Sequence, residues 1–413
     1  MIDSIYIATS GMLGHERALN VISNNISNLN TSGFRGSTVS FANVFSGTAQ
    51  NGEQNEQFVG QEGLGGGGVD ATRTLLDMRP GTQQQTGRDL DLFLQGSGFF
   101  VLQNESGSTF YTRNGAFSFN TDGVLVAKNA TTGQTLDVMS RNSNGQFVPI
   151  TIAGLKTSPA KATTSVSFQG NLSPSDSDVN NTPLTVYDQN GGAHSLTVEF
   201  VKDTAIAPGA PPGTTTTWTA KISEGSLQVG SADVAFAGQR LAPGSTSLPV
   251  SLTLTGADPV DVTLDFSQVN GGTTGSAGNP TTSSQVSVTT QDGYALGTIS
   301  KESFDTGGVL TITYTNGQTA TGARLVLAEI TDQDAMVELG SSLFTYQGQQ
   351  PVTLREAGTD LQVDAQSLEA SNVDLTAEFS SLILAQRGYQ GSSQVVSTAN
   401  EMLQQLLDMK SGK

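Results

Sequence analysis

The sequence predicts a mainly β protein with α-helical, coiled-coil-like termini, its domains nested and discontinuous along an elongated molecule. Three observations carry this. Apolar residues recur at every seventh position at both chain ends, the period of helices that wind around a partner. The stretch between them is dense in Asn-Gly and Asp-Gly pairs flanked by alternating apolar and polar residues, the pattern of β-hairpins. No strand–helix–strand rhythm occurs, which argues against a parallel α/β sheet. The two ends can pair only if the chain leaves and returns, so a helical inner domain, an inner β domain and an outer β-barrel or sandwich domain nest in that order. Composition places the terminal helical domain at 1–33 and 365–413 and an extended connector at 34–73 and 355–364. It places the inner β domain at 74–148 and 295–354, and the outer one at 149–294.

At the N-terminal end Ile5, Met12, Leu19 and Ile26 form one heptad seam. Ala8, Ile22 and Leu29 form the other, with His15 as its polar member. The stripe stops at Asn30-Thr31-Ser32-Gly33, where Gly33 suits a helix C-terminal stop. Only Asp3, Glu16 and Arg17 are charged within Met1–Asn30, and small uncharged polar residues fill the rest. A solvated helix face is normally rich in Glu and Lys, so this face is suited to close contact with further helices. Gly47–Gly68, rich in Gly, Gln and Asn, reads as an extended connector.

In the middle, Asn-Gly or Asp-Gly pairs begin at Asn51, Asn114, Asp122, Asn144, Asn190, Asn270, Asp292 and Asn316. Each is a candidate type I′ hairpin turn, because both residues tolerate φ > 0. Ala205–Gly213 and Gly271–Thr282 read as loops within the outer β region. The C-terminal stripe is longer: Leu368, Leu375, Leu382, Tyr389, Val396 and Leu403 keep a strict spacing of seven, widened by Phe379, Ala385, Ala399 and Leu406.

Composition narrows the function. The 413 residues hold 19 Lys and Arg against 37 Asp and Glu, a net charge of −18, which argues against a nucleic-acid partner. Cysteine is absent, which removes disulfides and thiolate chemistry, and His15 and His194 are the two histidines. No run of eighteen apolar residues occurs, so no membrane-inserted helix is expected. Met1–Gly14 lacks the basic start of a cleaved signal peptide. Asp188-Gln189-Asn190-Gly191 fails the EF-hand spacing and reads as a turn. Gly65–Gly68 has no lysine or helix after it to cradle a phosphate. Asp89 and Asp91 read as one solvated strand face, and His194 as a strand-edge residue. No catalytic residue, cofactor or metal is expected. The candidate site is an assembly surface formed by Ile5, Met12, Leu19, Ile22, Ile26, Leu29, Leu368, Leu375, Phe379, Leu382, Tyr389, Val396, Leu403 and Leu406.

Several stretches resemble bacterial flagellar rod and hook proteins. They are Asn24-Asn25-Ile26-Ser27-Asn28 running into Thr31-Ser32-Gly33-Phe34-Arg35, and Thr86-Gly87-Arg88-Asp89-Leu90-Asp91 with Gly96–Val101. Tyr111–Phe117 with Asp122-Gly123, and Ser371–Leu375 through Ala385–Gln390 to Ala399–Leu403, complete the set in the family's order. The family usually carries Lys after Gly-Phe, where Arg35 keeps the charge here. Leu184–Asp188, Leu196–Val198 and Trp218-Thr219 resemble the outer domain of hook-type members, which the shorter distal rod type lacks, and Thr290–Tyr294 with Thr315–Gln318 resemble their return into the inner domain. The resemblance implies a structural subunit, not an enzyme, in a tubular homopolymer that bends while passing torque from rod to filament. It implies contacts with the distal rod protein, the hook-capping protein and the hook–filament junction protein. It also implies export by the flagellar type III apparatus without signal cleavage, to an extracellular place on the flagellum. From the residues alone, a secreted adhesin-like β protein is the competing reading, and within the family a distal rod protein is the alternative.

Overall fold

The computed structural model describes residues 2–45, 66–128, 133–142, 144–205, 214–271, 283–358 and 361–411. Two compact units divide the chain. The first holds residues 1–153, 301–312 and 320–413, and the second 154–300 and 313–319.

In the first unit helix α1 spans Ile2–Ser27 and helix α2 spans Leu375–Ser411. α1 ends short of the expected stop, because Asn28 turns its side chain back onto the Asn24 carbonyl at 3.0 Å and competes with helix continuation. Gly33 has φ +69°, and a Cβ there would lie 2.5 Å from the Asn114 backbone nitrogen. It therefore serves a close backbone approach as well as a turn. α2 starts at Leu375, about ten residues later than the expected boundary at 365, because 367–369 is a strand. Asp374 caps it, its Oδ1 accepting from the Thr376 and Ala377 N–H groups at 2.8 and 3.3 Å. Much of the expected connector is paired: Ser37–Phe45 and Gly66–Leu76 form an antiparallel ribbon with Ser37 opposite Leu76. The part of Gly47–Gly68 before Gly66 lies outside the described residues.

A ten-stranded sheet carries the β part of this unit. Its path runs Met336–Gly340, Leu343–Tyr346, Thr109–Thr112, Phe99–Gln103, Thr135–Arg141, Leu125–Lys128, Phe117–Phe119. Its core includes Phe99, Val101, Tyr111, Met139, Val326 and Phe344, with the Phe99 and Phe344 rings edge to face at 6.0 Å. Two short ribbons bring the chain back toward α2: Val363–Ala365 pairs with Leu92–Leu94, and Ser367–Glu369 with Gln83–Gln85.

The second unit is a β-sandwich. A five-stranded meander, Asp178–Tyr187 to Arg240–Leu241, forms one sheet. Ser247–Leu252, Val260–Asn270, Ser165–Asn171 and Gln285–Gln291 form the other. Ser165–Asn171 and Val260–Asn270 run parallel, the others antiparallel. Alternating side chains from both sheets meet in one core around Phe168, Phe200, Trp218 and Phe266, all at most 1 % exposed. The loop residues 206–213 and 272–282 lie outside the described residues.

The hairpins differ from the type I′ expectation. In five loops Asn104, Asn120, Asn142, Asp188 or Asp305 stands first and a glycine fourth. The glycine N–H donates to the first residue's carbonyl, and among the described residues of these loops only the glycine has positive φ, from 68° to 84°. The first residue's Oδ1 also accepts the N–H of the residue four positions on, at 2.7–2.9 Å. These are type I turns closed by a left-handed glycine. Among the described residues, the two-residue turn with both φ values positive is Ser341-Ser342, at 55° and 56°. Asn114-Gly115 is not a turn: Gly115 lies where a Cβ would overlap the Leu92 carbonyl.

Asp292-Gly293 is not a turn either. Asp292 Oδ1 accepts the Thr164 and Ser165 N–H groups at 2.8 and 2.9 Å. Its Oδ2 accepts the Thr164 hydroxyl at 2.6 Å and Lys161 Nζ at 2.9 Å. Burial opposes the charge, but these donors outweigh it and hold the Asp292 carboxyl well below the usual carboxylate range. The knot ties the strand that enters the sandwich to the one that leaves it.

Candidate assembly surface

α1 and α2 pack antiparallel. A Cβ on Gly11 would lie 3.1 Å from Ser392 Oγ, a Cβ on Gly388 would overlap the His15 ring, and Asn25 Nδ2 donates to Glu378 Oε1 at 2.8 Å. As α1 rises from 11 to 25, its partner on α2 falls from 392 to 378, residue for residue. Small residues let the helices approach: Ala18 and Ala385 are buried with Ile22, and Leu19, Ile26 and Leu382 pack around them. The other side of α1 rests on the ribbon, where Gly14 faces Phe41 and Ala71, and Ser10 Oγ accepts the Val69 N–H at 3.0 Å.

This separates the expected surface residues into groups. Ile22 is buried in the seam, while Leu19, Ile26 and Leu382 are partly buried against it. Ile5, Met12, Val396 and Leu403 are half-buried along the helices, and Leu29 is half-buried in the turn after α1. Leu375, Phe379, Tyr389 and Leu406 are 37–50 % exposed on α2. Leu368 is not helical: it sits in the strand Ser367–Glu369, opposite Gln84. Strand pairing wins there because the chain must first complete the ribbon that carries Glu369. The heptad reading missed Ile383, Leu384, Val395, Met402, Leu407 and Met409, which are 44–80 % exposed. Most lie one position beside a residue of the stripe, so a second apolar row next to the first was the available signal. Tyr6 and Leu13 extend bare apolar surface onto α1, at 66 and 54 % exposure.

The roots of both helices are locked to the β body. Arg35 Nη2 lies 2.7 Å from Glu369 Oε1, and Arg113 Nε lies 2.9 Å from Glu369 Oε2, with all three side chains at most 1 % exposed. The Arg113 Nε contact is an ion pair whose N–H is not aimed at the oxygen. Arg113 instead donates from Nη1 to the Gly98 carbonyl at 2.8 Å and from Nη2 to the Gly96 carbonyl at 2.6 Å. Arg35 Nη1 donates to the Arg79 carbonyl at 2.8 Å, and Glu369 Oε1 accepts the Gly81 N–H at 2.6 Å. Burial pulls the Arg113 guanidinium down to about 10; Glu369 opposes this and Arg35 adds to it. Two asparagines complete the lock. Asn25 bonds both Ser37 backbone groups, at 2.8 and 3.0 Å. Asn372 accepts from Gly36 N–H at 2.8 Å and donates to the Asp77 and Arg79 carbonyls at 2.7 and 2.9 Å. The sequence did not mark the ion cluster, whose three members lie far apart along the chain.

Other residues weighed from the sequence find structural places. His15 packs on Gly388 and tilts against Phe41 at 5.5 Å. His194 is not a free edge residue: its ring bridges Glu224 Oε1 at 2.8 Å and Asp188 Oδ2 at 3.4 Å. Asp89 and Asp91 do not share a solvated face. Asp89 pairs with Lys301 at 2.9 Å, whereas Asp91 is 1 % exposed beside Arg88 at 3.5 Å. Among the described residues, no helix is long and apolar enough to cross a membrane.

Four family models match the chain in order. They are a flagella basal body rod protein model over residues 5–35, a flagellar hook protein FlgE/F/G D1 domain over 93–173, a flagellar basal body protein FlaE D2 domain over 157–294, and a flagellar basal body rod FlgEFG protein C-terminal model over 364–409. A helix pair rooted in the β body of its own unit, with these matches along the chain, defines an axial protein of the bacterial flagellum. The chain is 30 % identical over 437 residues to the flagellar hook protein FlgE of Salmonella typhimurium, covering 98 % of this chain and 99 % of that one. It is 30 % identical over 438 residues to the Escherichia coli K12 protein of the same name, at 98 and 99 % coverage. To that of Treponema pallidum it is 29 % identical over 478 residues, at 99 and 100 %. The chain belongs to the flagellar hook protein family.

Proposed function

We propose that this chain is the structural subunit of the bacterial flagellar hook, polymerising into a tube that serves as a flexible joint between rod and filament. The carrying observation is the bare apolar row on α2, where Phe379, Ile383, Leu384, Leu406 and Leu407 are 49–69 % exposed. So much clustered apolar surface on one helix marks an interaction site. The locked roots support the reading, because load taken by packed helices passes to the β body through buried ion pairs instead of a slack connector. The chain is sparsely charged, 14 % Asp, Glu, Lys and Arg, which suits wet contacts that break and re-form as a tube bends. The distal rod, capping and junction proteins are the partners at the tube's ends, and the location is the outside of the cell, reached by flagellar export.

Leu384→Asp tests this. The monomer keeps its circular dichroism and melting temperature, because the side chain is 69 % exposed, while electron microscopy shows no tubes. Normal tubes from that variant overturn the assigned surface.

A further inference from the structure

We propose that the C-terminal end of α2 of one copy seats, head to tail, in a groove at the root of the helix pair of the next copy. This rests on the polymer reading above and names the contact that propagates it. The groove, about 310 Å3, opens between α1, α2 and the strand Ser37–Phe45. Ala18, Ile22 and Ala385 form its floor, and Phe41, Ser381 and Leu384 its walls. An apolar cavity of about 150 Å3 takes one benzene-sized group, so this one takes roughly two large aliphatic side chains. Phe41 and Leu384 stand 46 and 69 % exposed at its mouth.

The occupant with matching chemistry is the end of α2, where Leu406, Leu407 and Met409 are 49, 64 and 80 % exposed. It cannot be the same copy's end. Leu384 and Leu407 lie on one continuous helix, about 35 Å apart at 1.5 Å per residue. The groove flanks the first turns of α2 and the occupant is the far end of another α2, so the two surfaces that meet are different ones. Two different patches joined in this way repeat without closing, and so build an open-ended helical array.

The chain has no cysteine, so introduced pairs report cleanly. Tubes of the double variant Leu384→Cys, Leu407→Cys are oxidised with copper phenanthroline and run on a non-reducing gel. A disulfide needs Cα atoms within about 7 Å, so crosslinking reports direct juxtaposition. The expected result is a ladder of dimers, trimers and longer chains, with either single variant staying monomeric. Mixed single variants, polymerised together, give dimers only. Phe41→Cys with Leu406→Cys is a second pair and gives a ladder of its own. Intact tubes with no crosslink in either pair overturn the groove contact and leave the polymer reading standing. A product that stops at dimer in the double variants shows a two-fold contact and overturns the head-to-tail arrangement. No tubes from the wild-type chain overturn the polymer reading itself.

Discussion

Glu369→Gln is the most incisive single change at the helix roots. The amide keeps the shape and an oxygen able to accept the Gly81 N–H, now made at 2.6 Å. It removes the one carboxylate in contact with both Arg35 and Arg113, at 2.7 and 2.9 Å, in a place where all three side chains are at most 1 % exposed. Breaking a buried pair from one side costs roughly 3–5 kcal/mol, because the remaining charge stays buried without its partner. Here two cations are stranded, so the upper part of that range applies, about 4–5 kcal/mol. With a urea dependence of about 3 kcal/mol per M, the unfolding midpoint of the first unit falls by about 1.5 M. Helix ellipticity at 222 nm is a suitable probe, because both helices lie in the first unit, whereas the single tryptophan, Trp218, reports on the second. A companion variant with Arg35→Met, Glu369→Leu and Arg113→Met recovers most of the loss, since a packed apolar replacement leaves no stranded charge. A Glu369→Gln midpoint within 0.2 M of wild type, roughly 0.6 kcal/mol on the same slope, refutes the argument that this carboxylate holds the roots together.

Two further outcomes follow from the same geometry. Gly388→Val drives a side chain into the His15 ring, costs about 1–3 kcal/mol in overpacking, and lowers the cooperativity of helix melting followed at 222 nm; an unchanged melt counts against the close seam. His194 is raised chiefly by Glu224, with Asp188 adding to this and burial opposing it, so its contribution is full below the unfolded pKa near 6.5 and is lost as pH rises through the higher folded value. Glu224 is held down to about 2 by Thr255 and His194, so its contribution is present above about 4.3 and lost as pH falls. The tryptophan-reported melting temperature is therefore highest between about pH 4.5 and 6.5, and His194→Gln flattens its decline toward pH 8.

Periodicity revealed the helices but not how they divide their faces. A seven-residue spacing says that Leu382 and Tyr389 share a side; it does not say that Gly388, one step away, would admit a neighbouring helix closely enough to leave Tyr389 37 % exposed. Leu368 continued the spacing into a segment that tertiary pairing holds as strand. The loops were legible in a different grammar. Asn or Asp followed three positions later by Gly marks five hairpins, while Asn-Gly and Asp-Gly pairs also occur at Gly115 and Gly293, where the backbone needs room against Leu92 and Thr163. The ion cluster was not legible, because Arg35, Arg113 and Glu369 meet only once three distant segments have folded together.

The Asp292 knot has a mechanical consequence. Ser165–Asn171 and Gln285–Gln291 are antiparallel neighbours, so tension on the chain at their shared end would peel them apart one rung at a time. Asp292 stands at that end and grips Lys161, Thr164 and Ser165 through four bonds of 2.6–2.9 Å. Those bonds take up the load together, before the first rung is reached. The sandwich therefore resists unzipping as a riveted joint resists it, by sharing a pull among several fasteners.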